Sequence, residues 1–144
     1  MVSVAQSVRA VNPRLLKSEV SLPKILIVDD DRATSTLLRT LFTIENYDGV
    51  LCPRPEQVLS VAAHEKPDVI LMDVHLAGID SITILNQIRA SQDLKSMPVV
   101  MTSGMDVEEK CMRAGASAFM LKPFKPAELL DVVKRLVPTH AATN

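Results

Sequence analysis

Short unbroken apolar runs alternate along this chain with longer stretches in which apolar residues return every three or four positions. Ile25–Val28, Val69–Met72, Val99–Met101 and Ala118–Leu121 are of the first kind. Runs of this length closed by turn residues predict strands covered on both faces. A further short strand is predicted at Gly49–Cys52, after the turn Asn46-Tyr47-Asp48-Gly49. The second kind predicts helices. Arg32–Glu45 carries Ala33, Leu37, Leu38, Leu41 and Phe42 on one stripe. Pro55 opens a helix with Val58, Leu59, Val61 and Ala62 that stops near His64. Asp80 or Ser81 caps a helix with Ile82, Ile84, Leu85 and Ile88. The fourth helix spans Asp106–Ala114 and is closed by Gly115. Pro126 begins the fifth, with Leu129, Leu130, Val133, Leu136 and Val137 facing inward.

Strands alternating with helices imply an α/β domain: a doubly wound, five-stranded parallel sheet with helices on both faces. The expected order is 2-1-3-4-5, which sets the ends of strands one and three side by side at the switch point, where ligands collect. Residues 1–23 read differently. Pro13 and Pro23 interrupt them, while Val4, Val8, Val11 and Leu15 recur at near-helical spacing. They are expected to form a flexible N-terminal extension or a docking segment; 24–138 form the domain and 139–144 a tail.

Composition narrows the function. Hydrophobic residues make up 47% of the chain but aromatic ones only 3%, so the core must be aliphatic. A net charge of −1 offers no field for direct nucleic-acid binding or for an anionic membrane. No apolar run is long enough to span a bilayer, and no secretory signal is visible. Cys52 and Cys111 have no metal-type spacing and are expected to be buried thiols in a reducing compartment, so a cytoplasmic location is expected.

The chemistry lies at the carboxyl ends of the strands. Strand one supplies Asp29 and Asp30, strand three Asp73, strand four Thr102 and Ser103, and strand five Lys122. Two like charges about 4 Å apart repel by on the order of 4 kcal/mol at an effective dielectric near 20. A divalent cation relieves this, and oxygen ligands without a His or Cys cluster select Mg2+. A cation and a lysine around a carboxylate suit phosphoryl transfer, in which positioning and charge neutralisation carry most of the catalysis. Asp73 is the expected nucleophile, forming an acyl phosphate, with Lys122 and the Thr102 hydroxyl on its oxygens.

Taken together, Val28-Asp29-Asp30, Leu71-Met72-Asp73, Met101-Thr102-Ser103 and Leu121-Lys122-Pro123-Phe124 resemble a bacterial two-component response-regulator receiver domain over residues 24 to about 137. The resemblance implies a flavodoxin-like fold and a regulatory phosphoacceptor rather than an enzyme in the usual sense, with only self-catalysed phosphorylation and dephosphorylation. It implies that Asp30, Asp73 and the backbone carbonyl of His75 ligate Mg2+, that Asp29 acts through a water, and that Lys122–Pro123 is cis. It further implies a switch in which Thr102 moves inward and Phe119 follows, reshaping the face of helix four, strand five and helix five. The implied partners are a histidine kinase or histidine phosphotransfer protein, docking on helix one and the loop after strand five, and a downstream protein target. A phosphorylation-dependent dimer is a further expectation. The seven residues after helix five are too few for an output domain, so the expected form is a stand-alone receiver unless an output domain lies beyond this chain.

The sequence departs from the family pattern in places. Ala77 stands where proline is usual, Ser81 where glycine is frequent, and Phe119 where tyrosine is commoner. By the resemblance, His75 and Gly104 occupy positions that tune phosphoryl lifetime in the family; Gly104, lacking a side chain, is expected to leave the phosphoryl group open to water. Two rival readings remain. A haloacid-dehalogenase-type phosphatase would use Asp29 as nucleophile and Asp31 as acid–base, assisted by Thr102 and Lys122, but the acids after the lysine, Glu128 and Asp131, fall on a helix and Asp73 would have no role. A degenerate receiver would serve only as a binding module.

Overall fold

The computed structural model describes residues 21–137. The expected extension, with its Val4, Val8, Val11 and Leu15 spacing, lies outside the described residues except for 21–23, as does the tail. The elements are β1 (Lys24–Val28), α1 (Arg32–Ile44), β2 (Asp48–Leu51), a 3-10 turn (Pro55–Gln57) leading into α2 (Val58–Glu65), β3 (Val69–Asp73), a short hairpin (His75–Leu76 with Ile79–Asp80), α3 (Ile82–Ala90), β4 (Val99–Ser103), α4 (Glu108–Arg113), β5 (Ala118–Leu121) and α5 (Pro126–Leu136).

The main sheet has the order β2-β1-β3-β4-β5, and every pair in it is parallel. This is the doubly wound arrangement expected from the alternation. Its register sets Val28 beside Met72 and Asp73 beside Thr102, so β1, β3 and β4 end close to one another.

Alternate strand residues point to opposite faces, and the core divides accordingly. Leu26, Val28, Ile70, Met72 and Met101 pack with Val58, Ala62, Leu85, Ile88 and Cys111 from α2, α3 and α4. Ile25, Ile27, Val69, Leu71 and Val100 pack with Phe42 of α1 and Leu129 and Val133 of α5. Burying each such aliphatic side chain is worth about 1.5–3 kcal/mol. No helix among the described residues is long and apolar enough to cross a membrane.

Helix α1 differs from its expected stripe. Ala33 and Leu37 are exposed, Leu37 to 70%, whereas Ser35 and Phe42 are buried and Leu38 and Leu41 half-buried. The stripe runs through 35, 38 and 42; a neighbour in sequence lies about 100° round the helix, which carries Leu37 off the core. Ser35 tolerates burial because its hydroxyl donates to the carbonyls of Asp29 (3.0 Å) and Asp31 (3.1 Å). Helix α4 is shorter than expected and starts after Val107. At the head of α3 the expected caps divide the work: Asp80 Oδ1 accepts the Ile82 N–H at 2.9 Å, while the Ser81 hydroxyl donates elsewhere. The α4 terminus is as expected, with Gly115 at φ +105°, where an added Cβ would also meet the Arg89 side chain at 3.1 Å.

Candidate functional site

Three strand ends bring the acids together. Asp29 follows β1 and is buried; its Oδ1 accepts the Asp31 N–H at 2.9 Å. Asp30 is exposed, and Asp73, the last residue of β3, is half-buried. Carboxylate oxygens of Asp29, Asp30 and Asp73 all lie within 4.8 Å of one another. Lys122 arrives from the end of β5, where its N–H donates to the Ser103 carbonyl at 2.8 Å and its peptide bond to Pro123 is cis. Its Nζ donates to Asp73 Oδ2 at 3.1 Å and lies 3.7 Å from Asp29 Oδ2. Thr102 is buried beside Asp73, and its carbonyl accepts the Val74 N–H at 2.8 Å.

Burial pushes the Asp29 carboxyl up from its ordinary value; the Asp31 N–H and the Lys122 ammonium pull it back, and the Asp73 and Asp30 charges add to the rise. Three carboxylates and one ammonium leave a formal excess of two negative charges. A divalent cation cancels that excess. The donor set fits one: the converging atoms are hard oxygens, with no His or Cys in the cluster.

The loop after Asp73 folds into a tight hairpin. His75 pairs with Asp80 and Leu76 with Ile79, leaving Ala77 and Gly78 as the two turn residues. Both have positive φ, +49° and +79°, as in a type I′ turn. An alanine in this region costs about 1–2 kcal/mol, a strain the closed hairpin must outweigh. The Ser81 N–H donates to the Val74 carbonyl at 2.7 Å, one hydrogen-bonded pair of the ladder. Bonded and non-bonded pairs alternate in an antiparallel ladder, so the His75 carbonyl falls on a non-bonded pair and is directed outside it. Two contacts here escaped the sequence reading. The Ala77 N–H donates to Asp30 Oδ2 at 2.7 Å, and the buried Ser81 hydroxyl donates to the Asp73 carbonyl at 2.6 Å. Only the departures at 77 and 81 marked these positions, without saying what they do.

Beside the acids lies a cleft of about 400 Å³ between α1 and the β5–α5 segment. Asp29, Asp73, Thr102 and Lys122 line one part of it, and Leu37, Leu38, Phe124 and Leu129 belong to its apolar walls. The other expected switch residue, Phe119, is half-buried, paired in register with Met101, and packs against the core on the α2–α4 face. Asp31 is not one of the converging acids; its carboxylate accepts the Thr34 hydroxyl in the first turn of α1.

Residues 25–134 match the response regulator receiver domain family. The chain belongs to that family. The receiver is 30% identical over 116 residues to the sporulation initiation phosphotransferase F of Bacillus subtilis, covering 80% of this chain and 94% of that protein. It is 32% identical over 127 residues to the transcriptional regulatory protein KdpE of Staphylococcus aureus, covering 84% of this chain and 54% of that one. The chain thus spans about half the length of several curated relatives it matches. Among solved structures, the BeF3-activated N-terminal receiver domain of Klebsiella pneumoniae RstA superposes with a TM-score of 0.72 at 31% identity, covering 78% of this chain and 97% of that one. The receiver domain of a Pseudomonas aeruginosa sensor histidine kinase, which holds a magnesium ion in its active site cleft, gives 0.73 at 26% identity, covering 81% and 98%. Nothing in these relatives supports the phosphatase reading built on Asp29 and Asp31.

Proposed function

We propose that this receiver is a phosphorylation-driven switch whose acceptor is Asp73. A carboxylate oxygen of Asp73 attacks the phosphorus of a phosphohistidine on a histidine kinase or phosphotransfer protein. The O–P bond of an acyl phosphate forms, the P–N bond breaks, and the leaving imidazole takes up a proton. The observation that carries this reading is the Lys122 ammonium 3.1 Å from Asp73 Oδ2 within a three-carboxylate cluster.

The roles of the remaining residues follow from their positions. Lys122 holds a phosphoryl oxygen by a charge-assisted bond, and the Thr102 hydroxyl holds another. Asp30, Asp73 and the His75 carbonyl would ligate Mg2+, with Asp29 acting through a water; the cation would neutralise charge on the transferring group. Movement of Thr102 is followed by Phe119, and the α4–β5–α5 face, where Met112 and Leu121 are exposed, changes its contacts with a downstream protein or a second copy. The donor docks on α1 and the β5–α5 segment, where Leu37 projects beside the cleft.

The test is labelled acetyl phosphate with Mg2+. The chain should take up an acid-stable, alkali-labile label that maps to Asp73. Absence of label would leave a binding module without phosphoryl chemistry, and a label on Asp29 would restore the phosphatase reading.

A further inference from the structure

The turn residue Ala77 makes a backbone contact that its side chain does not reveal. Among the converging acids, Asp30 is the exposed one, and an exposed carboxylate is free to rotate unless something fixes it. Here its Oδ2 accepts the Ala77 N–H at 2.7 Å. That N–H is aimed by the type I′ turn, whose two central residues both have positive φ. The turn is anchored behind by the buried Leu76 and by Ser81, whose N–H and hydroxyl bind the Val74 and Asp73 carbonyls. A carboxylate has acceptor sites to spare: one oxygen can take the N–H while the other faces a cation. Ligating carboxylates are commonly oriented by such outer hydrogen bonds.

We propose that the Ala77 N–H is a positioning donor for Asp30, holding one carboxylate oxygen so that the other is presented to the cation, and that the 75–80 hairpin and cation binding therefore stabilise each other. This rests on the reading of Asp30 as a cation ligand. The same hairpin carries the His75 carbonyl, directed outside the ladder, so one small element supplies both a ligand and the brace for another. Proline, usual at this position in the family, could not brace Asp30 in this way: it has no N–H, and its φ is fixed near −65°.

The test removes one hydrogen-bond donor. Semisynthesis with lactic acid at position 77 replaces the amide by an ester and keeps the methyl group. Calorimetric titration with Mg2+ should show affinity about tenfold weaker than in the unmodified chain. Ala77→Gly, which keeps the N–H and relieves the positive φ, should restore binding. Equal or tighter binding by the ester overturns the inference, because the N–H would then be idle or would compete with the ion. A second measurement needs no substitution. Coupling is reciprocal, so saturating Mg2+ should slow hydrogen exchange of the Ala77 amide; unchanged or faster exchange also overturns it. If the unmodified chain binds no Mg2+ at all, the reading of Asp30 as a ligand fails instead, an outcome distinct from the other two.

Discussion

Two places in this fold set a lysine among three acids, one at each end of the sheet. At the carboxyl end, Lys122 meets Asp29 and Asp73, with Asp30 in the same carboxylate cluster. At the amino end, Lys24 meets Glu65 through its ammonium at 2.9 Å and Asp68 through its backbone N–H at 2.7 Å, under the charge of Asp48. The sequence inventory is nearly the same, yet the chemistry differs. Glu65 is 31% exposed, so water screens much of its charge, whereas Asp29 is 6% exposed. Among the described residues, only the carboxyl-end acids converge within metal-binding distance. Burial and convergence, rather than the number of acids, set the candidate site apart.

The largest expected difference between the clusters lies at their acids. Asp73→Asn should abolish uptake of label from acetyl phosphate, because an amide oxygen is no nucleophile for this transfer. Glu65→Gln at the other end should leave uptake unchanged. If Asp73→Asn still acquires label at the original rate, the acceptor is misassigned.

The lysines come next. Lys122→Met should slow uptake by about 10²-fold, the usual scale for losing one preorganised group that stabilises developing charge. Lys24→Met should leave the rate unaltered and lower the urea midpoint slightly. Equal rates for the two variants would mean that the 3.1 Å contact to Asp73 is structural only.

A smaller effect is expected at Gly104. An added Cβ there meets nothing within 4 Å, so Gly104→Glu should fold without strain. A side chain placed there would screen the acyl phosphate from water, and its half-life, followed by loss of label, should lengthen several-fold. An unchanged half-life would remove Gly104 from the account.

Most of the fold and the outline of the site were legible because both depend on patterns the sequence states directly. Apolar runs such as Val69–Met72 fix a buried strand, and the polar residue that ends each run must emerge at the same edge of a parallel sheet. Less legible was anything that depends on a rotation or a backbone donor. The assignment of Leu37 to the core failed because the stripe lies about 100° from where leucines alone would place it, and the polar Ser35 fills the space by binding carbonyls. The Ala77 N–H was invisible because every residue but proline has one. The Ser81 hydroxyl was expected at a helix cap and instead holds the Asp73 carbonyl, since the turn before α3 brings it there.

The smallest effect concerns pH, and it separates the clusters by sign. Pairing with Lys24 holds the Glu65 carboxyl below its ordinary value, and the same pairing raises the Lys24 ammonium above its own. A lowered acid stabilises the fold above its unfolded pKa and loses that contribution as pH falls through its folded pKa; a raised base stabilises below its unfolded pKa and loses it as pH rises through its folded one. The amino-end pair should therefore contribute between the ordinary values of about 4.3 for Glu and 10.4 for Lys, fading on both sides. Comparing urea midpoints of the unmodified chain and Glu65→Gln in acid, at neutrality and in strong alkali checks this. The gap should be widest at neutrality and small throughout, because both side chains are partly exposed. Burial shifts Asp29 the opposite way, upward, so in the cation-free chain its ionisation opposes folding. A gap between the chain and Glu65→Gln that did not vary with pH would mean that the Lys24–Glu65 contact contributes packing rather than charge, and the contrast between the two ends would then rest on burial alone.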